Sequence, residues 1–215
     1  MKESFWSPEA PVADSYVLFR GQFRVAAPGL AEIRVVGSAW YQAWLDGQPL
    51  LEGPLRFALE RPEYQSVTVE LSAGDHVLAF HAHHIGVDTR ILKDTPPFLW
   101  CEILTGQNRT SVNWRCLPLK SQTAQTRRIN PQLGWIEWRD TRLEPEGWEK
   151  KGFEDYGWVQ PSFSASALPE PGSADLAPVQ TFPHSLQPMA EGPLATTFGY
   201  PADEPSHTFH IRDRV

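Results

Sequence analysis

EIRVVGSAWYQAWLDG, residues 32–47, reads as two strands and the start of a tight turn. Apolar and polar side chains alternate through EIRVVG (from Glu32) and again through YQAWL (Tyr41–Leu45), the period of a half-buried strand. Asp46-Gly47 then closes the run. Both central residues of such a two-residue hairpin turn need positive φ, which Asp-Gly supplies. Working outward, the same alternation recurs in YVLFRGQFRV (from Tyr16), SVTVEL (Ser66–Leu71), HVLAFHAHH (His76–His84), FLWCEIL (Phe98–Leu104) and VNWRC (from Val112). Pro28-Gly29 and Ala73-Gly74-Asp75 punctuate it, and turn signals at about 8–12 residue spacing mark a sandwich or barrel. No long amphipathic helix and no internal repeat is visible. The expected fold class is all-β.

The chain has 215 residues, 41% hydrophobic and 21% charged, which is ordinary globular usage with enough apolar side chains for a sizeable core. Its net charge of −7 argues against a nucleic-acid partner and against an anionic membrane surface. No run approaches the roughly 20 apolar residues of a membrane span. The start, MKESFWSPEAP, has no apolar signal core. The expected compartment is cytoplasmic, or secreted or periplasmic if a leader has been removed. Residues 161–215 hold nine of the 20 prolines and none of the nine tryptophans. They read as an extended Pro-rich tail, a linker and the start of a following domain, so the expected division is a sandwich over 1–160 and a tail over 161–215. The ending SHTFHIRDRV looks like a strand that starts and stops, as in a chain cut within a domain.

Cys101 and Cys116 flank an expected hairpin running from FLWCEIL through TGQN to VNWRC. If its turn centres near Asn108 the cysteines face each other, but a directly opposed cross-strand disulfide is strained, and free thiols are the plainer expectation. The sequon Asn108-Arg109-Thr110 lies at the tip and has no secretion signal to go with it.

Four tryptophans fall in GWIEWRDTRLEPEGWEKKGFEDYGW, residues 134–158, beside Asp140, Arg142, Glu154 and Asp155. Such rings offer flat apolar area with a polar edge, suited to sugars and cores alike. In a carbohydrate reading Trp135 and Trp138 supply stacking faces while Asp140 and Arg142 pair with hydroxyls. In the competing reading Asp140 and Arg142 form a buried ion pair holding the last strand to the sandwich, since residues two apart on a strand share a side. Tyr41 and Trp44, near the Asp46-Gly47 turn, are further candidate sugar contacts, and packing in the core competes there too.

His81 and His83 point to one face of their strand, with His84 on the other. Two imidazoles with Asp88 beyond a turn could hold a metal. The spacing Gly74-x6-His81-x-His83-x4-Asp88 resembles the first motif of the cupins, although the gap after the glycine is one residue long and Asp stands for Glu. Glu102, Glu137, Asp140, Glu144, Glu154 and Asp155 are available for acid–base work, but nothing in their spacing selects a glycosidase pair. No nucleophile elbow, phosphate loop or zinc spacing is present.

The stretch WIEWRDTR…GWEKKGFEDYGW resembles the N-terminal β-sandwich region of bacterial α-L-rhamnosidases. Glu137, Asp140, Arg142, Trp148 and Phe153-Glu154-Asp155-x-x-Trp158 occupy the family's acidic residue, Asp-x-Arg, Trp and Phe-Asp-Asp-x-x-Trp positions. Upstream, Tyr41-x-x-Trp-Leu-Asp-Gly is similar to its aromatic strand ending in Asn-Gly, with Asp46 in place of Asn, and runs to Gly53-Pro54. The resemblance implies a galactose-binding-like jelly roll, ahead of an (α/α)6 catalytic barrel that hydrolyses L-rhamnosides with inversion. The expected function is therefore a non-catalytic accessory domain, structural or carbohydrate-positioning. The alternatives are an autonomous carbohydrate-binding module or a cupin-like metal protein. Expected partners are L-rhamnose-containing carbohydrate and the downstream barrel. No cofactor is expected; some relatives hold L-rhamnose through calcium, but their ligand set is not recognisable here.

Overall fold

A computed structural model of the protein describes residues 3–55, 57, 61–88, 95–128, 130, 134–165, 172–173, 195–196 and 209–210. The chain divides into two compact units, Met1–Thr181 and Phe182–Val215. The first contains β1 (Glu3–Trp6), β2 (Ser15–Val25), β3 (Gly29–Gly37), β4 (Trp40–Leu45), β5 (Gln48–Gly53) and β6 (Glu63–Leu71). It continues through β7 (Gly74–His84), β8 (Leu99–Thr105), β9 (Asn108–Arg109), β10 (Asn113–Pro118), β11 (Ser162–Ala165) and β12 (Gly172–Ser173). In the second unit β13 (Ala195–Thr196) pairs antiparallel with β14 (Phe209–His210). That short strand covers part of SHTFHIRDRV; the other residues of that ending lie outside the described residues. Among the described residues there is no α-helix, and no helix is long and apolar enough to cross a membrane.

Two sheets form a β-sandwich. Sheet one runs β11-β1-β8-β3-β6-β12, with β9 attached to β8, and sheet two runs β10-β2-β7-β4-β5. Pairing is antiparallel apart from β12 on β6. The all-β expectation holds, and every strand anticipated from alternation is present. Between the sheets lie Phe5, Phe19, Phe23, Ile33, Val35, Tyr41, Leu78, Phe80, Leu99, Ile103 and Trp114. Each large apolar side chain buried there stabilises the fold by about 1.5–3 kcal/mol, which is why strands with one apolar face close on each other. The β4–β5 hairpin turns at Asp46 (φ 52°) and Gly47 (φ 84°), as Asp-Gly chemistry requires.

One hairpin is not as expected. Cys101 sits on β8 in sheet one, whereas Cys116 sits on β10 in sheet two. The turn at Gly106 returns only the two residues of β9 to β8, and the chain then crosses to the other sheet. Both cysteines are free. Past Pro161 the chain still contributes to the sandwich, because β11 pairs with β1 and β12 with β6.

Candidate functional site

Register across sheet two sets the side chains on its outer face in rows. Tyr16 and Trp40 flank His83, Leu18 and Gln42 flank His81, and Arg20 and Trp44 flank Ala79. Directly opposed residues in a sheet share a face. Few of these side chains reach solvent, because residues 121–128 and 134–159 fold back over them. This explains why β2 and β7 are buried along nearly their whole length instead of alternating.

The covering segment closes one end of the face with aromatics. Trp148 and Trp158 pack on Leu18, Val77 and Ala79, with Trp44 and Phe153 at the margin. Arg20, 1% exposed, is the clasp. Its Nε donates to the Trp148 carbonyl (3.1 Å), Nη2 to the Lys150 carbonyl (3.0 Å) and Nη1 to Asp155 Oδ2 (2.9 Å). Gln22 Nε2 donates to the same carboxylate oxygen at 3.1 Å, and the Phe153 ring lies 5.6 Å from the guanidinium. A buried guanidinium is tolerable only when its donors are met, and here carbonyls and a carboxylate meet them. Asp46 fastens the turn side. Its Oδ1 accepts from the Val77 N–H (2.8 Å), and its Oδ2 faces His76 Nδ1 (2.7 Å) and Lys151 Nζ (3.0 Å). Burial alone would raise the Asp46 carboxyl, but these donors outweigh it and hold the group below its ordinary range. The segment ends by pairing Val159 with Cys116 through two backbone hydrogen bonds of 2.8 and 3.0 Å.

The other end of the face is polar. Residues 121–127 and 136–140 form an irregular ribbon, joined by Asp140 N–H to Ser121 O, Thr123 N–H to Trp138 O and Ile136 N–H to Arg127 O. Beneath it, His83 stacks on Tyr16 with ring centroids 4.0 Å apart, and its Nε2 meets Asp14 Oδ1 at 2.9 Å. His81, 5% exposed, lies near-parallel to the same Tyr16 ring with centroids 5.7 Å apart, and its Nε2 has no hydrogen-bond partner. Burial, reinforced by the positive charge of Arg139, pushes the His81 imidazole down to about 4, so it is neutral at pH 7. Arg139 chelates Glu144, which also accepts from Ser121 Oγ at 2.8 Å. Burial would raise Glu144, but Arg139 and Ser121 prevail and its carboxyl lies below the ordinary value.

These contacts separate the candidate residues. Tyr41 is fully buried between the sheets, its hydroxyl donating to Gln65 Oε1 at 2.7 Å, so it presents nothing to a ligand. Trp44 meets Trp148 edge to face at 5.4 Å under the covering segment. Trp135 is half-buried and donates its Nε1–H to the Ile85 carbonyl at 3.0 Å. Trp138 is 69% exposed. Asp140 and Arg142 do pair, Arg142 Nε to Oδ1 and Nη2 to Oδ2, both at 2.8 Å, but on the surface. The expected buried ion pair is thus corrected: Asp140 caps a short 3-10 turn over Thr141–Leu143 and holds no strand to the sandwich. The buried pair of that kind is Arg20–Asp155. His81 and His83 share a face as expected, yet among the described residues no group of three or more His, Cys, Asp or Glu comes together as a metal would require.

Arg20 and Tyr16 were not among the sequence candidates. The signal for them lies within YVLFRGQFRV. Tyr16 and Leu18 alternate with Val17 and Phe19, so both faces of β2 call for cover, and the arginine follows on the same face as Tyr16 and Leu18.

No protein-family model matches the chain, and no curated protein sequence matches it significantly. Solved structures do. A GH78 family rhamnosidase of Bacillus sp. GL1 superposes with a TM-score of 0.69 at 23% identity, covering 74% of this chain and 18% of that one. A Streptomyces avermitilis α-L-rhamnosidase solved with L-rhamnose gives 0.56 at 20% identity, covering 77% and 17%. A Pleurotus ostreatus lectin solved with GalNAc gives 0.55 at 15% identity, covering 80% and 46%. The chain spans less than a fifth of the length of these two rhamnosidases, and what it shares with them and with the lectin is the β-sandwich fold.

Proposed function

We propose that this chain is a non-catalytic accessory domain of an α-L-rhamnosidase-like glycoside hydrolase, holding its architecture and positioning carbohydrate for chemistry done elsewhere. The observation that carries the reading is the likeness to rhamnosidases over three quarters of this chain but under a fifth of theirs. The state of the carboxylates supports it. Glycoside hydrolysis needs one acid kept protonated near neutrality beside a second carboxylate. Asp140 and Glu144 are instead paired with arginines, which hold both below the ordinary range, and Asp155 is spent on Arg20. The galactose-binding-like jelly roll and the downstream (α/α)6 barrel belong to the same reading. An assay of the purified chain with an aryl α-L-rhamnoside tests it. No turnover above buffer is expected, and stoichiometrically significant hydrolysis defeats the proposal. A second reading, an autonomous carbohydrate-binding module, draws on the lectin likeness, which covers 80% of this chain.

A further inference from the structure

We infer that the ribbon is an acid-released cover: a proton taken up by His81 lifts residues 121–127 and 136–140 off sheet two, while the sandwich and the Trp148–Trp158 end stay folded. The placement of His81 carries the inference. Its ring lies buried beneath the ribbon, and its Nε2 meets no partner. In the sheet it stands between Leu18 on β2 and Gln42 on β4, neither of which carries a charge. The neutral Tyr16 ring lies alongside. The charged or titratable groups acting on it are Arg139 and Glu144 of the covering segment and His83 two residues on, while Asp14 and Glu137 act on His83 and Tyr16. Arg139 already occupies Glu144, so an imidazolium at His81 finds a guanidinium nearby and no free carboxylate. His83 differs, because its Nε2 faces Asp14 Oδ1 and a proton there strengthens an existing contact. A buried charge without a counter-ion is relieved when water reaches it, and lifting the ribbon admits water.

The bonding of the ribbon lets it move as one piece. Its three backbone bonds, with Thr126 Oγ1 donating to the Ile136 carbonyl at 2.6 Å, join its two halves to each other and not to the sheet. It is tied to the sandwich through Gln125, whose N–H donates to Asp14 and whose Nε2 donates to the Ala13 carbonyl at 3.3 Å. The neighbouring Trp135 adds its bond to the Ile85 carbonyl. Ile136, Trp138 and Leu143 stay exposed instead of anchoring it. At the other end Trp148 and Trp158 are buried on Leu18, Val77 and Ala79, and Arg20 grips the chain through Trp148, Lys150 and Asp155. Local opening begins where little apolar surface is buried, which is the ribbon.

Sign and size follow from linkage. The covered ring stays neutral down to about 4, whereas an uncovered imidazole takes up its proton near 6.5. Below 6.5 the open form binds more protons, so acid favours it, and the opening constant rises about twentyfold between pH 7 and 5. Amide hydrogen exchange followed by NMR, corrected for the intrinsic pH dependence, reads the cover through the Thr123, Ile136 and Asp140 N–H groups. The β2–β7 ladder amides serve as reference, and the His81 ring resonance is titrated in the same samples. The expected result is that the three ribbon amides lose about twentyfold in protection from pH 7 to 5 while the ladder keeps its own. The loss should disappear in His81→Gln, and the parent ring should titrate well below 6.5. Ribbon protection that does not change, that falls together with the ladder, or that falls equally in His81→Gln overturns the proposal. The parent also decides without the variant: a His81 ring that titrates near 6.5 while the three amides keep their protection overturns it.

Discussion

Arg20 shows how one side chain can decide the state of a whole face. Replacing it by Met strips the Trp148 and Lys150 carbonyls of their donor and leaves Asp155 with Gln22 alone. Removing one partner of a buried pair costs about 3–5 kcal/mol, and urea unfolding of Arg20→Met should show a loss of that size. A loss near zero would mean that the clasp contributes nothing. His81 makes a pH-dependent contribution of definite sign. In the unfolded chain it takes up a proton near 6.5, while the native ring resists down to about 4. Between those values the unfolded state binds more protons, so stability is full above the upper one and falls as pH drops towards the lower, by about 3 kcal/mol at most. Burial depresses His83 and His84 in the same direction. Denaturant midpoints of His81→Gln should therefore decline less between pH 7 and 4 than those of the parent; parallel curves would contradict the assignment. The two thiols are expected to be silent. Burial pushes Cys116 up to about 12 and raises Cys101 further, so a thiol-disulfide reagent should find neither in the native protein and both in denaturant.

At the scale of elements, β2 is the strand on which both layers depend, and Gly21 is its tight point. A Cβ there would lie 2.6 Å from the Trp114 ring and from Val112. Gly21→Ala should cost about 1–3 kcal/mol in thermal or urea unfolding, as overpacking does, and a stabilised variant would show that the ring moves freely. The strands were legible because their alternation is a direct imprint of one buried face. The Asp46-Gly47 hairpin was legible because only a few residue pairs supply two positive φ angles. The β8–β10 connection was not, since a hairpin and a crossing between sheets ask for the same polar, glycine-containing turn, and only the partner strands choose between them. The candidate site was legible in part. The aromatic stretch was recognised as important, but alternation carries no record of a third layer laid over a sheet. That is why Trp44 stood among the sugar contacts while Arg20 and Tyr16 did not; Tyr41 lies instead between the sheets, because alternation does not say which face of a strand is the buried one. Asp140 and Arg142 were paired correctly by their spacing and misplaced in depth, because spacing does not report burial.

Across the molecule, the tryptophan-rich segment serves two purposes on its two sides. Trp148, Trp158, Phe153 and Asp155 close the outer face of sheet two, and the ribbon before them turns Trp138 outward. The sandwich is thus a three-layer body over this face, with its largest apolar groups committed to cohesion and, among the described residues, a single indole left open to solvent. The most direct test is oxidation of tryptophan by a dilute reagent under native conditions, followed residue by residue in peptides by mass spectrometry. The account predicts that Trp138 is modified first and that Trp148 and Trp158 stay protected until the fold is lost. Oxidation of Trp148 and Trp158 at the rate of Trp138, with the circular dichroism of the native protein intact, would contradict it.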